Sequence, residues 1–475
     1  MPELPEVETV RATLEHQIVG EKIVNVEVRC LRIISPSSKD DFCEKLKGQV
    51  IREVKRYGKY LFFILDKVTI LSHLRMEGKF FIKKTSDEIE KHEHIIFTMA
   101  SGMSLRYHDT RKFGIMKIIE TTNMEALMKV PEIKKLGKEG TDSSFTPQEL
   151  LQKLKGKTEP IKTALLDQTI ICGLGNIYVD EVCFMSRIHP AIPANLITPY
   201  EAKLILSNSR KVLANAIECG GTTIRSYTSS LGVTGRFQLN LLVHTRENKQ
   251  CYVCGSIIEK TRVGGRGTNY CPHCQNINHP YVVGVTGGIG MGKSLVSEYI
   301  NSKGYLVFDA DLISKNLTLT NTSVLEQIKE SFGSNYFIKD SLDRKKIGEL
   351  IFSDHTAREK LNAIIHPLVK QQLLEKIYEN QTEKIVFIDV PLLYEAGFDE
   401  LCNFVICVFT DQTTNISRLK ERDHATLEET LNKINSQLDI NVKKSMANFI
   451  IDNSSDICYT YKQVDRILEK LGKER

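Results

Sequence analysis

The chain has 475 residues, 41% hydrophobic and 26% charged, which exceeds what one core serves and predicts two to four domains of about 100–200 residues each. The composition excludes a wholly disordered chain. The net charge of +5 hides an asymmetry: residues 1–280 hold 40 Lys and Arg against 31 Asp and Glu, and residues 281–475 hold 24 against 28. A basic front and an acidic back suggest two tasks, the front one on nucleic acid.

The start, MPELPEVETV, has neither the basic nor the apolar region of a signal peptide. The longest apolar runs, Tyr60–Leu65 and Phe404–Phe409, are too short to cross a bilayer. A cytoplasmic protein with no membrane partner is expected. Removal of Met1 exposes Pro2 as a terminal secondary amine. With a pKa of roughly 8, such an amine is partly neutral near pH 7. It can attack an aldehyde-like sugar carbon and form an iminium ion. Glu3, beside it, is the candidate for proton transfer.

From Val19 to Lys117, short β-branched and aromatic runs between polar turns predict strands, among them Ile23–Val28, Val50–Val54, Thr69–His73, Ile95–Met99 and Ser104–His108. A sandwich or barrel follows. From about Met124 to Cys219 the periodicity is helical, as in 147–154, 161–166 and 200–219. Cys251-x2-Cys254 and Cys271-x2-Cys274 then have zinc-ligand spacing and predict one closed, structural Zn²⁺ hairpin. The other cysteines of the twelve are scattered and read as reduced thiols. The link 275–280 is very short, so the domains it joins are expected to sit close together.

At Tyr281 an apolar strand opens an alternation of strands and helices, the pattern of a parallel α/β domain. Gly287-Gly288-Ile289-Gly290-Met291-Gly292-Lys293-Ser294 fits G-x4-G-K-[ST] between that strand and a helical stretch. Its backbone N–H groups are expected to cradle ATP phosphates, with Lys293 on the β/γ-phosphates and Ser294 on Mg²⁺. An Asp pair, Asp309 and Asp311, follows a second strand and offers a base for a substrate hydroxyl.

The string Pro2-Glu3-Leu4-Pro5-Glu6-Val7-Glu8-Thr9 resembles the start of the formamidopyrimidine-DNA glycosylases, which excise oxidised purines. Further motifs extend the resemblance over about the first 275 residues. Lys59, in Arg56-Tyr57-Gly58-Lys59-Tyr60, matches the family's catalytic lysine. Met76 matches the residue that fills the gap left by the flipped nucleotide. Arg111 and Phe113, in Asp109-Thr110-Arg111-Lys112-Phe113-Gly114, match the arginine on the orphaned base and the wedge in the stack. An enzyme that acts on a base must flip it out and fill the hole, so these wedges have a physical purpose. The string Ile171–Glu181 is similar to the helix-two-turns-helix signature, in which a helix N-terminus offers free N–H groups to a phosphate and Asn176 is the phosphate contact. Arg266, between the cysteine pairs, matches the arginine that grips a phosphate beside the lesion. His92 and Lys155 complete the expected DNA-binding set. The stretch 220–238 looks like the family's damaged-base loop.

Residues 281–475 resemble dephospho-coenzyme A kinase. The resemblance rests on the phosphate loop, Asp309-Ala310-Asp311, Asn362–Pro367, Val390–Glu395 and Arg418–Asp423. It implies Asp311 as base for the ribose 3′-hydroxyl, Arg418 and Arg422 on a lid near the ATP phosphates, and His366 and Pro367 on the acceptor side.

Three segments depart from the family patterns. Val243-His244-Thr245-Arg246 stands where Val-Tyr-Gly-Arg is usual, Tyr57 stands for a second arginine, and Lys433 for an arginine four residues before Gln437. The expectation is a multidomain, bifunctional protein. An N-terminal β-sandwich (1–123), a helix-two-turns-helix domain (124–245) and a β-hairpin zinc finger (246–276) precede an α/β P-loop kinase domain with a parallel sheet (281–475). Its partners are double-stranded damaged DNA, ATP and dephospho-CoA, and it acts as a monomer. The alternatives are an endonuclease VIII-like enzyme for oxidised pyrimidines, an inactive DNA-binding module, and another small-molecule P-loop kinase.

Overall fold

Strand β1 (Ile23–Val28) buries Ile23, Val26 and Val28 and leaves Val24 and Asn25 in solvent, the mark of a sheet with one covered face. The computed structural model describes residues 2–222, 236–339, 341–424 and 426–473. β1 belongs to an antiparallel sheet ordered β1-β6-β7-β5, with β5 Lys79–Lys84, β6 Glu93–Met99 and β7 Met103–His108. A second antiparallel sheet is ordered β2-β3-β4-β8, with β2 Ile51–Tyr57, β3 Tyr60–Leu65, β4 Thr69–His73 and β8 Ile115–Ile119. Val26, Phe80, Phe97 and Leu105 of the first meet Val54, Leu61, Phe63 and Ile70 of the second in one core. This is the expected sandwich. The helix Leu4–Ile18 adds Val7, Val10, Leu14 and Ile18 to that core, at helical spacing.

Helices Pro147–Leu154, Ile161–Leu166, Asn176–Met185 and Pro199–Glu218 follow. The hairpin of β9 (Glu259–Val263) and β10 (Arg266–Tyr270) comes next. The chain divides into two compact units, residues 1–197 with 201–277, and residues 198–200 with 278–475.

In the second unit, β11 (Tyr281–Gly287) is buried along its whole length, as a central parallel strand must be. With β12 (Leu306–Asp309), β15 (Ile385–Asp389), β16 (Phe404–Phe409) and β17 (Phe449–Asp452) it forms a parallel sheet ordered β12-β15-β11-β16-β17. A two-residue hairpin, β13 (Phe337–Ile338) and β14 (Ser341–Leu342), lies outside that sheet. The expected P-loop architecture is thus present. Among the described residues no helix is long and apolar enough to cross a membrane.

Candidate active sites

In the first unit, Pro2, Glu3, Lys59, Met76, Asn176 and Arg266 line one cavity of about 700 Å³. Segments far apart in sequence supply them: the chain start, the β2–β3 turn, the loop after β4, a helix start and β10.

Glu3 and Lys59 are both buried. Glu3 Oε1 accepts the N–H of Ile177 at 3.1 Å, and its own N–H donates to Glu6 Oε2 at 2.9 Å. Burial pushes the Glu3 carboxyl above the usual range, although Lys59 nearby favours its charged form. Burial also lowers Lys59, whose Nζ donates to the Leu174 carbonyl at 2.6 Å. A carboxyl and an amine moved toward neutral pH are suited to proton transfer. Gly175 lets the chain start come this close, because a Cβ there would lie 2.2 Å from Glu3 Cδ.

One expectation needs correction. Two of the N–H groups at the start of the helix Asn176–Met185 are not open to a phosphate, because the Glu3 carboxylate takes that of Ile177 and lies 3.5 Å from that of Tyr178. A carboxylate at a helix N-terminus satisfies the same donors and dipole as a phosphate. Asn176 remains beside it, its Nδ2 donating to the Gly267 carbonyl at 3.0 Å.

Met76 and Phe113 are 38% and 39% exposed, so neither is a core residue. Both line a second groove, with Arg32, Arg75 and Lys112. The Arg111 guanidinium lies 4.8 Å from the Phe113 ring centroid. Buried Asp109 holds this loop by accepting the N–H groups of Arg111, Phe113 and Gly114 at 3.0, 2.9 and 2.8 Å. Sequence reasoning gives Asp109 no role. Its signal is a lone Asp at the start of a loop whose amides need an acceptor.

His92 and Lys155 lie apart from the cavity. His92 stacks edge-on with His108 at 5.7 Å, and the exposed Lys155 caps the helix Pro147–Leu154. Residues 223–235 of the expected damaged-base loop lie outside the described residues. Thr222, at its near end, donates its N–H to Glu6 Oε1 at 2.7 Å.

The four cysteine sulfurs lie within 4.8 Å of one another, Cys251 to Cys274 at 3.9 Å and Cys254 to Cys271 at 3.4 Å. A tetrahedron with Zn–S of about 2.3 Å needs sulfurs about 3.8 Å apart, so the quartet fits one structural Zn²⁺. Four cysteine sulfurs would fill all four positions around a bound Zn²⁺, which leaves no place for a reacting ligand.

In the second unit, residues Gly287–Ser294 lead from β11 into the helix Lys293–Ser302. Gly292 has φ 85°, which a glycine adopts without strain, and a Cβ there would meet Asn453 Nδ2. Lys293 pairs with Asp389 at the end of β15. Sequence reasoning misses Asp389, although a buried apolar strand ending in a carboxylate is a recognisable signal. Burial raises the Asp311 carboxyl, with Lys293 opposing that shift. Ser294, Asp311 and Asp389 are the oxygen donors from which a Mg²⁺ bound with ATP would draw, a set that suits a hard cation. Arg418 Nη2 donates to the Asn453 carbonyl at 3.2 Å. Arg422 and Lys433 both pair with Asp423, each at 2.7 Å, so Lys433 acts as a point charge. Gln437 Oε1 accepts the Ile289 N–H of the phosphate loop at 2.9 Å. Half-buried His366 stacks near Phe398 at 5.9 Å, and Pro367 lies inside the helix His355–Glu379.

Four family models match the chain: "Formamidopyrimidine-DNA glycosylase N-terminal domain" at residues 1–116, "Formamidopyrimidine-DNA glycosylase H2TH domain" at 136–228, "Zinc finger found in FPG and IleRS" at 249–277, and "Dephospho-CoA kinase" at 281–458. The formamidopyrimidine-DNA glycosylase of Ligilactobacillus salivarius is 46% identical over 276 residues, which is 58% of this chain and 99% of that protein. That of Listeria innocua is 44% identical over 275 residues, 58% of this chain and 100% of its own. A crystal structure of a Lactococcus lactis FPG mutant with a Fapy-dG containing DNA matches with TM-score 0.55 and 39% identity, over 58% of this chain and 100% of its own. The Lactococcus lactis Fpg with an abasic site containing DNA matches with TM-score 0.54 and 40% identity, at the same coverage. The chain therefore belongs to the formamidopyrimidine-DNA glycosylase family, and it carries a dephospho-CoA kinase domain behind the glycosylase region.

Proposed function

We infer that the chain is a bifunctional enzyme: a DNA glycosylase and abasic-site lyase that excises oxidised purines, and an ATP-dependent kinase that converts dephospho-CoA to coenzyme A. The observation that carries the first half is one cavity lined by Pro2, Glu3, Lys59, Asn176 and Arg266, flanked by exposed Met76 and Phe113. In our reading the Pro2 nitrogen attacks the sugar C1′, the glycosidic bond breaks, and the base leaves with a proton. Glu3 then relays protons as the sugar ring opens and an iminium forms. Loss of a C2′ proton expels the 3′-phosphate, a second elimination expels the 5′-phosphate, and water releases Pro2. Lys59, Asn176 and Arg266 hold the phosphates. Met76, Arg111 and Phe113 fill the gap in the duplex, and His92 and Lys155 contact its backbone.

Borohydride tests this reading, because it reduces the iminium and joins Pro2 to lesion DNA. A trapped adduct that survives an N-terminal extension would overturn it. Comparing duplexes with 8-oxoguanine and thymine glycol separates purine from pyrimidine preference, and the purine duplex is expected to be cut faster.

For the second half, the carrying observation is the phosphate loop with Lys293, facing the carboxylates Asp389 and Asp311. Mg²⁺ bound with ATP supplies charge neutralisation of the phosphates. Asp311 takes the proton of the acceptor 3′-hydroxyl, Lys293 and the loop amides orient the transferred phosphoryl group, and Arg418 and Arg422 close on it. An acceptor screen with ATP checks this, and dephospho-CoA is the expected substrate. We propose that the protein acts in the cytoplasm, and as a monomer. Sedimentation with and without lesion DNA checks this.

A further inference from the structure

His244 stands at a departure from the family pattern, and the structure ties it into the DNA cavity. It lines that cavity with Pro2, Glu3 and Arg266. Glu181 fixes its backbone by accepting the N–H groups of Leu242, Val243 and His244 at 2.8, 3.0 and 2.8 Å. The next residue, Thr245, has φ 59°, a left-handed conformation rare for a β-branched residue and held only where the surroundings impose it. The imidazole Nδ1 lies 2.7 Å from Asp180 Oδ2. Asp180 Oδ1 takes the Lys162 ammonium at 2.6 Å, and both of those side chains are fully buried.

This arrangement has a charge consequence. A carboxylate at hydrogen-bond distance fixes the first ring proton on Nδ1. Lys162 already neutralises Asp180, so nothing in that pair compensates a second ring proton. Nε2 is the nitrogen left for a ligand. As a neutral acceptor it repels a phosphate oxygen, and as a protonated donor it binds one strongly.

We propose that His244 takes up a proton from solvent at Nε2 when lesion DNA binds, and donates it in a hydrogen bond to a backbone phosphate. This rests on the reading of the cavity as the DNA site. DNA affinity is then linked to pH, complete at low pH and lost as the pH rises through the range where imidazoles discharge. Other groups face the ring. Glu3 and Glu181 act on it electrostatically, and Lys162 acts through Asp180. Glu6, Lys59, Arg75 and Lys135 line the same cavity, and His73, also there, is held down at about 3 by burial. The Pro2 amine titrates nearby, but it is common to every variant and cancels in a difference.

The test uses the full-length, zinc-loaded chain and a duplex with an unreactive tetrahydrofuran abasic analogue. Binding is measured from about pH 6 to 8.5 at constant salt, the range in which histidine switches. The wild-type affinity is expected to fall more steeply than that of His244→Gln, by up to about tenfold per pH unit, the slope of one proton. Calorimetry in two buffers of different ionisation enthalpy should then show up to about one more proton taken up by wild type. His244→Tyr, which restores the family's residue, should bind well with the shallow slope and keeps the test open if Gln disturbs folding. Equal slopes and equal proton uptake in all three proteins overturn the proposal. Weaker binding by His244→Gln at an unchanged slope also overturns it, since that is a structural role. No binding by wild type at any pH overturns instead the DNA reading beneath it.

Discussion

The two catalytic regions hold their charges in opposite ways. In the glycosylase region Glu3 and Lys59 are buried, anchored to backbone groups, and shifted toward neutrality. In the kinase region Lys293, Arg422 and Lys433 sit on the chain's own carboxylates, Asp389 and Asp423, and Arg422 is exposed. A site that does proton chemistry on a flipped base gains from fixed, water-free groups. A site that takes a polyanion with its own Mg²⁺ gains from cations that can exchange one anionic partner for another. The charge split between the halves follows the same division: basic where the polyanion is a duplex, acidic where ATP arrives with a cation.

The sharpest way to break the comparison is to block the Pro2 amine by an N-terminal extension. Lyase turnover should fall by on the order of 10³-fold or more, as when a covalent nucleophile is removed, while kinase turnover is unchanged. Glu3→Gln should lower excision by about 10²–10⁴-fold. The same change should raise thermal stability at pH 8. Burial raises the Glu3 carboxyl, so the folded chain holds that proton more tightly than the unfolded chain. That share of stability is present below the ordinary carboxyl range and is lost as the pH rises through the folded value. The gain from Gln, read by melting curves, should therefore shrink as the pH falls toward 5. Lys293→Ala should cost about 10²–10³-fold in kinase turnover and leave excision intact. A zinc chelator should abolish lesion-DNA binding through loss of the Cys251–Cys274 hairpin, with kinase activity retained. Lys433→Arg should have the smallest effect, a change of a few-fold in the KM for ATP, because it exchanges one cation on Asp423 for another.

Much of this is legible in the sequence where the signal is local. The strands Ile23–Val28 and Thr69–His73 have the bounds that their apolar patterns predict. The cysteine quartet and the phosphate loop carry their chemistry in their spacing. Long-range pairing is not legible. No pattern in Pro2–Thr9 tells that this segment is a helix start whose Glu3 satisfies the N–H of Ile177, 174 residues away. For the same reason the helix start at Asn176 reads as an open phosphate site. Asp389 escapes notice because its partner, Lys293, lies on another strand–helix unit. The departure at His244 is visible as a departure, but only the fold brings Asp180 to its ring.

The central claim is that one chain carries two complete and independent active sites. The most direct measurement traps the purified full-length chain on lesion DNA with borohydride and assays the trapped band for dephospho-CoA phosphorylation. The account predicts one covalent band of full chain length that still makes coenzyme A at the untreated rate. A trapped band without kinase activity, or kinase activity only in a separate shorter chain, would contradict it.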